Sequence, residues 1–487
     1  MLFNSFDFAV FLPITFVIYW FICNKNTKFQ NFFLIISSYI FYGWWDWRFL
    51  ILIIFSSFLD YYLGIQIDKS KNQRLRKTFL FLSLFFNLGL LGIFKYYNFF
   101  AVSFTEAFSL FGSEFRVNQL KIILPVGISF YTFQTLSYTF DIYKNKIKPT
   151  KDIFSFFAFV CFFPQLVAGP IERAANLLPQ FIRKRTFNFD NAKEGLRQGL
   201  FGLFKKVVIA DNCAIYANNI FENYEIYPGS TLILGAIFFT FQIYCDFSGY
   251  SDIAIGTSKL FGFNLKQNFA YPYFSRNIAE FWRRWHISLS TWFRDYLYIP
   301  IGGSKGSKYN KIKNTFIIFI VSGFWHGANW TFIFWGAANA LLFLPLLLFN
   351  KNRNYIEIVA KETFLPNFRE LTKIVCTFSI TSLIWVIFRS ESIFDTINYY
   401  SIIFSDSIFS YPFIIEEETN FQFLPKTIFV LIFVLISIDW LGRKKTHPLK
   451  KLELNFKKPT RWLIYSTLCF LIFIFKADQQ DFIYFQF

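Results

Sequence analysis

Apolar runs of about 20 residues recur along the chain from Phe8 to Phe475, and that length matches the hydrocarbon core of a bilayer. As a helix, each run would span about 30 Å. Only 16% of the 487 residues are charged, which leaves too little polar surface for a soluble multidomain protein. Because helices satisfy their own backbone hydrogen bonds in lipid, we predict an all-α polytopic membrane protein.

The placement of charge along the chain predicts its topology. The net charge is +18, and the basic residues lie in short patches between the apolar runs. These patches are 69–77, 144–151, 183–206, 305–313, 350–373 and 443–461. The positive-inside rule places them in the cytoplasm, while 217–230 and 390–424, which contain acidic residues and no basic residue, lie outside. This alternation fits about 10–12 membrane segments and accounts for the positive charge without nucleic acid.

Two regions do not fit a simple crossing. In 152–182 the apolar residues are interrupted by Pro164, Gly169 and Pro170, as in a re-entrant segment. The second region is 246–349. We predict one domain over residues 1–487, with an interfacial segment on the cytoplasmic side at 275–304 and a histidine-containing segment at 314–349.

The 275–304 segment, "SRNIAEFWRRWHISLSTWFRDYLYIPIGGS", predicts an amphipathic helix. Its apolar face would contain Phe281, Trp285, Leu289, Trp292 and Tyr296. Three arginines and Asp295 would together oppose spanning by roughly 10 kcal/mol, so the helix should lie at the interface. It is either an anchor whose arginines contact lipid phosphates or the wall of a cleft for an anionic cofactor.

Just before this segment, "FQIYCDFSGYSDIAIGTSKLFGF" (241–263) places Asp246 and Asp252 within an apolar run. Carboxylates at membrane depth usually line cavities. The alternative is a loop at the cytoplasmic mouth in which both carboxylates pair with nearby arginines. The sequence leaves these two interpretations open.

A histidine lies inside a long uncharged stretch in "VSGFWHGANW" (321–330). Residues 315–325 rise only about 16 Å from the basic patch that ends at Lys313, so His326 should lie near mid-membrane. Gly323, Gly327 and Asn329 favour a broken backbone there. The imidazole is either a structural group or a neutral general base that takes the proton of an attacking hydroxyl. His447, in a basic loop, is expected to be solvated.

Several motifs resemble one family. "FWRRWHISLSTWFRDYLYIPIGG" and "SGFWHGANWTFIFWGAANAL" resemble the two signature regions of membrane-bound O-acyltransferases (MBOAT). Supporting matches are "FKYYNFF" (94–100), "LPVGISFYTFQTLSY" (124–138), "FFPQLVAGPI" (162–171), "YCDFSGYSDIAIG" (244–256) and "FIYFQF" (482–487). The pattern is closer to the bacterial alginate O-acetyltransferase branch than to the D-alanyl transfer proteins of teichoic acid modification.

The resemblance implies a function and a set of site residues. His326 would be the catalytic histidine and His286 the second signature position, at a central tunnel in a multi-pass protein of the bacterial cytoplasmic membrane. Acetyl-CoA, rather than a bound cofactor or metal, would supply the acetyl group, with Arg283, Arg284 and Arg294 as phosphate contacts. The acceptor would be an extracytoplasmic polysaccharide, alginate-like or peptidoglycan, reached through an SGNH-type partner.

Two alternatives come from other classes of protein. A transporter or flippase for a polysaccharide precursor would use Asp60, Asp141 and Asp246 as intramembrane ion or substrate sites. A scaffold for polysaccharide export would need neither His286 nor His326.

Overall fold

The computed structural model describes residues 1–110, 112, 117–167, 169–415, 422–477, 480 and 482–483. Its regular structure is helical apart from one short antiparallel pair, Ile414–Ile415 with Gln422–Phe423. The predicted all-α class is therefore confirmed. The chain forms two compact units, residues 1–196 with 254–266 and residues 197–253 with 267–487. Ala168, the acidic residues 416–418 and most of the "FIYFQF" motif lie outside the described residues.

Six segments of the described chain are long and apolar enough to cross a membrane. They are Phe6–Lys25, Thr27–Lys69, Gln73–Ser109, Gly229–Leu260, Trp330–Leu348 and Phe368–Arg389. Many of their large apolar side chains face outward, including Phe21, Phe58 and Phe81. Exposed apolar surface of this kind is suited to lipid, and the protein is a multi-pass membrane protein.

The first unit contains the helices α1 (Phe6–Val17), α2 (Thr27–Asp46), α3 (Leu50–Lys69), α4 (Gln73–Leu91), α5 (Tyr97–Leu110), α6 (Ile128–Tyr143), α7 (Ile153–Cys161), α8 (Phe163–Leu166) and α9 (Ala174–Ile182). The predicted interruption of 152–182 is present, because α7 ends at Cys161 and α8 ends before Pro170.

A buried polar cluster joins α3, α4 and α6 in the first unit. Ser83 and Asn87 donate hydrogen bonds to the two carboxylate oxygens of Asp60 over 2.5 and 2.8 Å. Ser56 and Thr135 donate in turn to the side-chain oxygen of Asn87. The Asp60 carboxylate is therefore bonded within the protein, which gives no support to its proposed use as a transport site.

The second unit contains α11 (Asp211–Glu222), α13 (Ile278–Arg284), α14 (Ile287–Phe293), α15 (Lys308–His326), α16 (Trp330–Leu348), α17 (Phe368–Arg389), α18 (Ile393–Ile403), α19 (Lys426–Gly442) and α20 (Lys458–Ile474). Two long helices, α10 (Phe189–Leu203) and α12 (Gly229–Leu260), contain boundaries between the units. A wide helical turn, Phe204–Ala210, connects α10 with α11.

The helices α15 and α16 form a tight hairpin. A Cβ atom added to Gly323 would collide with the carbonyl oxygen of Phe332, and one added to Gly336 would collide with that of Phe319. The two backbones therefore touch at glycine positions, as small residues allow between membrane helices. The helix ends at His326, and Asn329 caps α16 by accepting a hydrogen bond from the Thr331 amide at 3.0 Å. The predicted break around the histidine is confirmed.

The structure excludes one of the two interpretations of 241–263 and contradicts one expectation, that for His447. The 241–263 stretch is not a loop but lies largely within the continuous α12, and the partners of its carboxylates are lysines rather than arginines. Asp246 pairs with Lys206 at 2.6 Å and Asp252 pairs with Lys205 at 2.5 Å. His447 is also buried rather than solvated.

Candidate functional site

The predicted amphipathic helix at 275–304 is broken in the middle. α13 ends at Arg284 and α14 begins at Ile287, with His286 in the left-handed region at φ 42°. The backbone groups at the break bond to a neighbouring segment, since the Ile287 amide donates to the Asn268 carbonyl at 2.8 Å. The Asn268 side chain also accepts from the Ser288 amide at 3.2 Å. These distant partners replace the helical hydrogen bonds, which a helical period alone cannot predict.

The predicted apolar face is nevertheless buried on both sides of the break. All five of its residues are buried: Phe281, Trp285, Leu289, Trp292 and Tyr296. Arg283 and Arg294 are exposed, as the pattern predicts. The apolar residues are therefore buried and these two arginines exposed as predicted, although the helix is interrupted.

His286 lies in a closed aromatic and amide environment and is 1% exposed. Its Nδ1 lies 3.2 Å from the side-chain oxygen of Asn268, and its ring meets Phe247 edge-to-face at 4.6 Å. Burial lowers the pKa of His286 to about 3, so the imidazole is neutral near pH 7. Because an amide oxygen only accepts, Nδ1 donates and Nε2 keeps its lone pair.

His326 lies at the end of α15 inside a ring of aromatic side chains and is 3% exposed. Its ring contacts Trp325 at 4.9 Å, Trp335 at 5.3 Å and Phe388 at 5.3 Å. Trp325 also contacts His286 at 6.1 Å. The structure thus brings both predicted histidines into contact with one indole, that of Trp325.

A cavity of about 500 Å³, which we call the donor cavity, lies between the broken segment and the α15–α16 hairpin. Its polar lining comes from Arg283, Ser290, Thr291, Arg294, Tyr298, Ser304, Thr315, Ser322, Asn352 and Arg353. Trp282, Phe319 and Phe343 supply much of the apolar wall. Ser322 and His326 are four residues apart on α15 and so share one face. The cavity therefore reaches to within one helical turn of His326.

The three predicted arginines are not equivalent in the structure. Arg283 and Arg294 line the donor cavity, although Arg294 also bonds Asp295 at 2.7 Å. Arg284 is not among the cavity residues and instead pairs with the buried Glu280 at 2.6 Å. Arg353, which the sequence analysis missed, lines the cavity with Asn352. Its only sequence signal is its position in the basic patch 350–373.

A second cavity of about 170 Å³, which we call the outer cavity, lies at the far end of α17. Its lining includes Glu222, Tyr224, Arg389, Glu391, Asp395 and Tyr399. Two observations link the outer cavity to His326. Phe388, which contacts the His326 ring, precedes the cavity residue Arg389. The Asn329 side chain, three residues after His326, donates to the Glu391 carbonyl at 2.8 Å. The sequence did not predict this cavity because two segments that are distant along the chain, 221–224 and 389–399, form it. The charge pattern places almost all of their residues outside.

Among the residues the structure describes, no group of three or more His, Cys, Asp or Glu side chains is arranged to hold a metal ion.

These features define a polytopic helical membrane protein in which two buried histidines lie close to two cavities. The membrane-bound O-acyltransferase family, MBOAT, matches residues 56–385. The chain belongs to this family, and the predicted acyltransferase class is confirmed.

Three relatives show the range of the similarity. The chain is 40% identical to the probable alginate O-acetylase of Pseudomonas aeruginosa, over 81% of this chain and 73% of that protein. It is 32% identical to the peptidoglycan O-acetyltransferase of Helicobacter pylori, over 100% and 98%. It is 29% identical to the teichoic acid D-alanyltransferase of Bacillus subtilis, over 56% and 70%. The predicted branch agrees with this order, and the transporter alternative has no support among these relatives.

Proposed function

We propose that this protein is a bacterial cytoplasmic-membrane O-acetyltransferase that moves an acetyl group from cytoplasmic acetyl-CoA towards a hydroxyl of an extracytoplasmic polysaccharide. The observation that carries the proposal is the position of His326, one helical turn from the donor cavity and in contact with Phe388 beside the outer cavity. A base at that position is suited to join reactants that arrive from opposite faces.

The donor cavity suits an anionic thioester. Arg283, Arg294 and Arg353 carry positive charge where the charge pattern predicts the cytoplasmic face. Guanidinium groups bind phosphate oxygens in bidentate fashion, and coenzyme A carries several phosphates. The stripe Thr315, Ile318 and Ser322 then provides a path along α15 for the acyl end. Arg284 stays a predicted phosphate contact, but its pairing with Glu280 makes it the weakest of the three.

The reaction that we infer at His326 is a direct acyl transfer. The neutral imidazole removes the proton of the acceptor hydroxyl while the hydroxyl oxygen attacks the thioester carbonyl carbon. The resulting tetrahedral intermediate collapses, the C–S bond breaks, and the leaving thiolate takes the proton from the imidazolium. An ester and a free thiol result, so atoms and charges balance without a further reactant.

Trp335 is placed to stabilise the oxyanion of that intermediate. Its ring meets the His326 ring edge-to-face at 5.3 Å, and its indole Nε1 is a buried donor with no hydrogen-bond partner among the described residues. An unpaired buried donor is unfavourable in the resting protein and useful only when negative charge develops nearby. We therefore assign this N–H to the oxyanion.

Replacing Trp335 with phenylalanine tests the assignment. We expect kcat to fall about 100-fold, with the KM for the acyl donor unchanged, because only the transition state uses the donor. Thermal stability should fall no further than in the control variant described next, since each substitution leaves a similar cavity in the core. Trp385→Phe, on a neighbouring buried ring that stacks on Trp335 at 5.5 Å, is the control. A fall in stability that matches the fall in rate would overturn the assignment.

His286 is better suited to positioning than to direct catalysis. It contacts Trp325, which in turn contacts His326, and its Nδ1 is hydrogen-bonded to the Asn268 side-chain oxygen. Its neutral, locked ring fixes Phe247 on one side and Trp325 on the other. We infer that His286 holds the Trp325 indole, and through it the orientation of the His326 ring.

The outer cavity is the place where we expect the acceptor or an extracytoplasmic partner to approach. Arg389 and the carboxylates of Glu222 and Glu391 offer hydrogen-bonding groups, and Tyr224 offers an aromatic face. The relatives named above act, by their names, on alginate, peptidoglycan and teichoic acid. We propose a polysaccharide acceptor, with a separate SGNH-type protein completing the transfer.

A transfer assay in oriented membrane vesicles tests the proposed function. Acetyl-CoA labelled in its acetyl group is supplied at the cytoplasmic face, and label in base-labile O-acetyl esters is measured in the polymer fraction. We expect labelled esters only in vesicles that contain both the chain and the SGNH-type partner. Movement of unlabelled polymer across the membrane without ester formation would favour the transporter alternative and overturn the proposal.

The same assay tests the donor cavity. Arg294→Gln combined with Arg353→Gln should raise the KM for acetyl-CoA by about 10-fold or more, because two charge-assisted contacts to phosphate are lost. Arg74→Gln, which removes an exposed arginine on α4, is the control for lost charge. An unchanged KM in the double variant would place the donor elsewhere.

A further inference from the structure

A buried cluster of charges in the second unit has no part in the proposed reaction. The Lys206 ammonium lies 2.8 Å from a carboxylate oxygen of Asp211 and 2.6 Å from one of Asp246. All three side chains are almost completely buried. Burying one cation with two anions is costly unless further hydrogen bonds compensate it. A contribution to stability alone therefore does not account for the burial of these three charges.

The cluster holds residues from the far end of the chain. Lys206 also donates to the Gln480 carbonyl oxygen at 3.2 Å, and the Ile483 amide donates to Asp246 at 2.7 Å. We call Gln480, Phe482 and Ile483 the distal segment. The backbone of the distal segment is therefore held at two points. The Lys206 ammonium donates to one of its carbonyl oxygens, and the Asp246 carboxylate accepts from one of its amides. These bonds do not depend on the side chains of Gln480 and Ile483.

The gripped segment packs towards the histidines. The Phe482 ring is fully buried and contacts Tyr250 at 4.5 Å and Phe247 at 5.8 Å. Phe247 in turn contacts His286 at 4.6 Å. Ring contacts continue from His286 through Trp325 to His326. A contiguous row of rings thus runs from the distal segment to the proposed base.

We propose that Lys206 and Asp246 form a charge clamp that holds the distal segment against Phe247, and that the clamped segment positions His286 and His326 for acyl transfer. Lys206 is then a positioning residue, since it touches neither the donor cavity nor the base. The inference rests on the proposed function for its effect on rate, but the clamp itself is a matter of structure and can be measured without any assay of activity.

Lys205 offers a matched control on the same helical turn. It is also buried and pairs with a carboxylate, Asp252, at 2.5 Å, with a further bond to the Ser248 hydroxyl at 2.9 Å. Neither of these partners belongs to the distal segment. Lys205→Met and Lys206→Met therefore each remove one buried ammonium, but only the second opens the clamp.

The first measurement is amide hydrogen exchange of the peptide that contains Ile483 in the full chain in detergent. In Lys206→Met we expect exchange at least about 10-fold faster than in the wild type, and in Lys205→Met the wild-type rate. Phe482→Ala, which leaves every charge in place, should also speed exchange. It keeps the test valid if Lys206→Met fails to fold. The clamp is overturned if exchange is unchanged in Lys206→Met and Phe482→Ala. It is also overturned if exchange in Lys205→Met is as fast as in Lys206→Met.

The second measurement is acetyl transfer in the vesicle assay. Lys206→Met and Phe482→Ala should lower kcat at least about 10-fold while the KM for acetyl-CoA stays constant, because small misplacements of a base are costly and the donor cavity is untouched. A released segment with normal kcat overturns the positioning role. If the wild type transfers no acetyl group, the proposed function fails, and the exchange data alone decide whether the clamp exists.

Discussion

Replacing His326 with alanine is expected to lower the rate of acetyl transfer by about 10³-fold while the protein stays folded in the membrane. The side chain is buried among three aromatic rings and ends α15, so alanine leaves the helix intact and removes only the imidazole. Transfer from labelled acetyl-CoA measures the rate, and gel filtration in detergent measures folding. The KM for acetyl-CoA should change little, because the base does not contact the phosphates.

The comparison needs a second histidine that lies away from the reaction. His447 is buried in a loop of the second unit and is not among the residues that line the donor cavity of the described chain. His447→Gln should therefore keep most of the wild-type activity. His326→Gln should be as inactive as His326→Ala, since an amide cannot take a proton from a hydroxyl. Acetyl transfer that persists in both His326 variants would leave the imidazole with a structural role only.

The break beside His326 could be predicted because its causes are local. Gly323, Gly327 and Asn329 lie within a few residues of the histidine, and each disfavours a continuous helix or supports a cap. The apolar face of 275–304 was equally predictable, since burial follows the helical period even where the helix is interrupted. What these signals share is that the residues responsible are neighbours in the sequence.

The break at His286 could not be predicted for the opposite reason. The backbone and side chain there bond to Asn268, which lies outside the 275–304 segment, and such distant contacts help to offset the cost of a left-handed histidine. The ion pair of Asp246 with Lys206 could not be predicted either, because the sequence contains many other basic residues that could have been the partner. Arg353 and the outer cavity also depend on which loops the fold brings together. Composition identifies such groups without telling which of them meet.

The site further depends on direct contact between the backbones of α15 and α16. Gly323→Ala is expected to reduce acetyl transfer by about 100-fold or more, because the new Cβ would collide with the Phe332 carbonyl oxygen. A backbone oxygen cannot rotate away, so α15 and α16 must separate. His326 follows Gly323 by less than one turn and moves with α15, while Trp335 moves with α16. The base and the oxyanion donor would thus lose their common geometry.

A glycine with free space around it separates this collision from the general effect of adding a methyl group. Gly199 lies within α10, and a Cβ added there meets nothing within 4 Å. Gly199→Ala should therefore preserve activity and raise helix stability by about 1 kcal/mol. Wild-type activity in Gly323→Ala would mean that the hairpin tolerates separation of its helices. The contact between α15 and α16 would then not be what sets the distance between the His326 imidazole and the Trp335 indole. If Gly323→Ala lost activity but kept its melting temperature, the loss would lie in the placement of His326 rather than in folding.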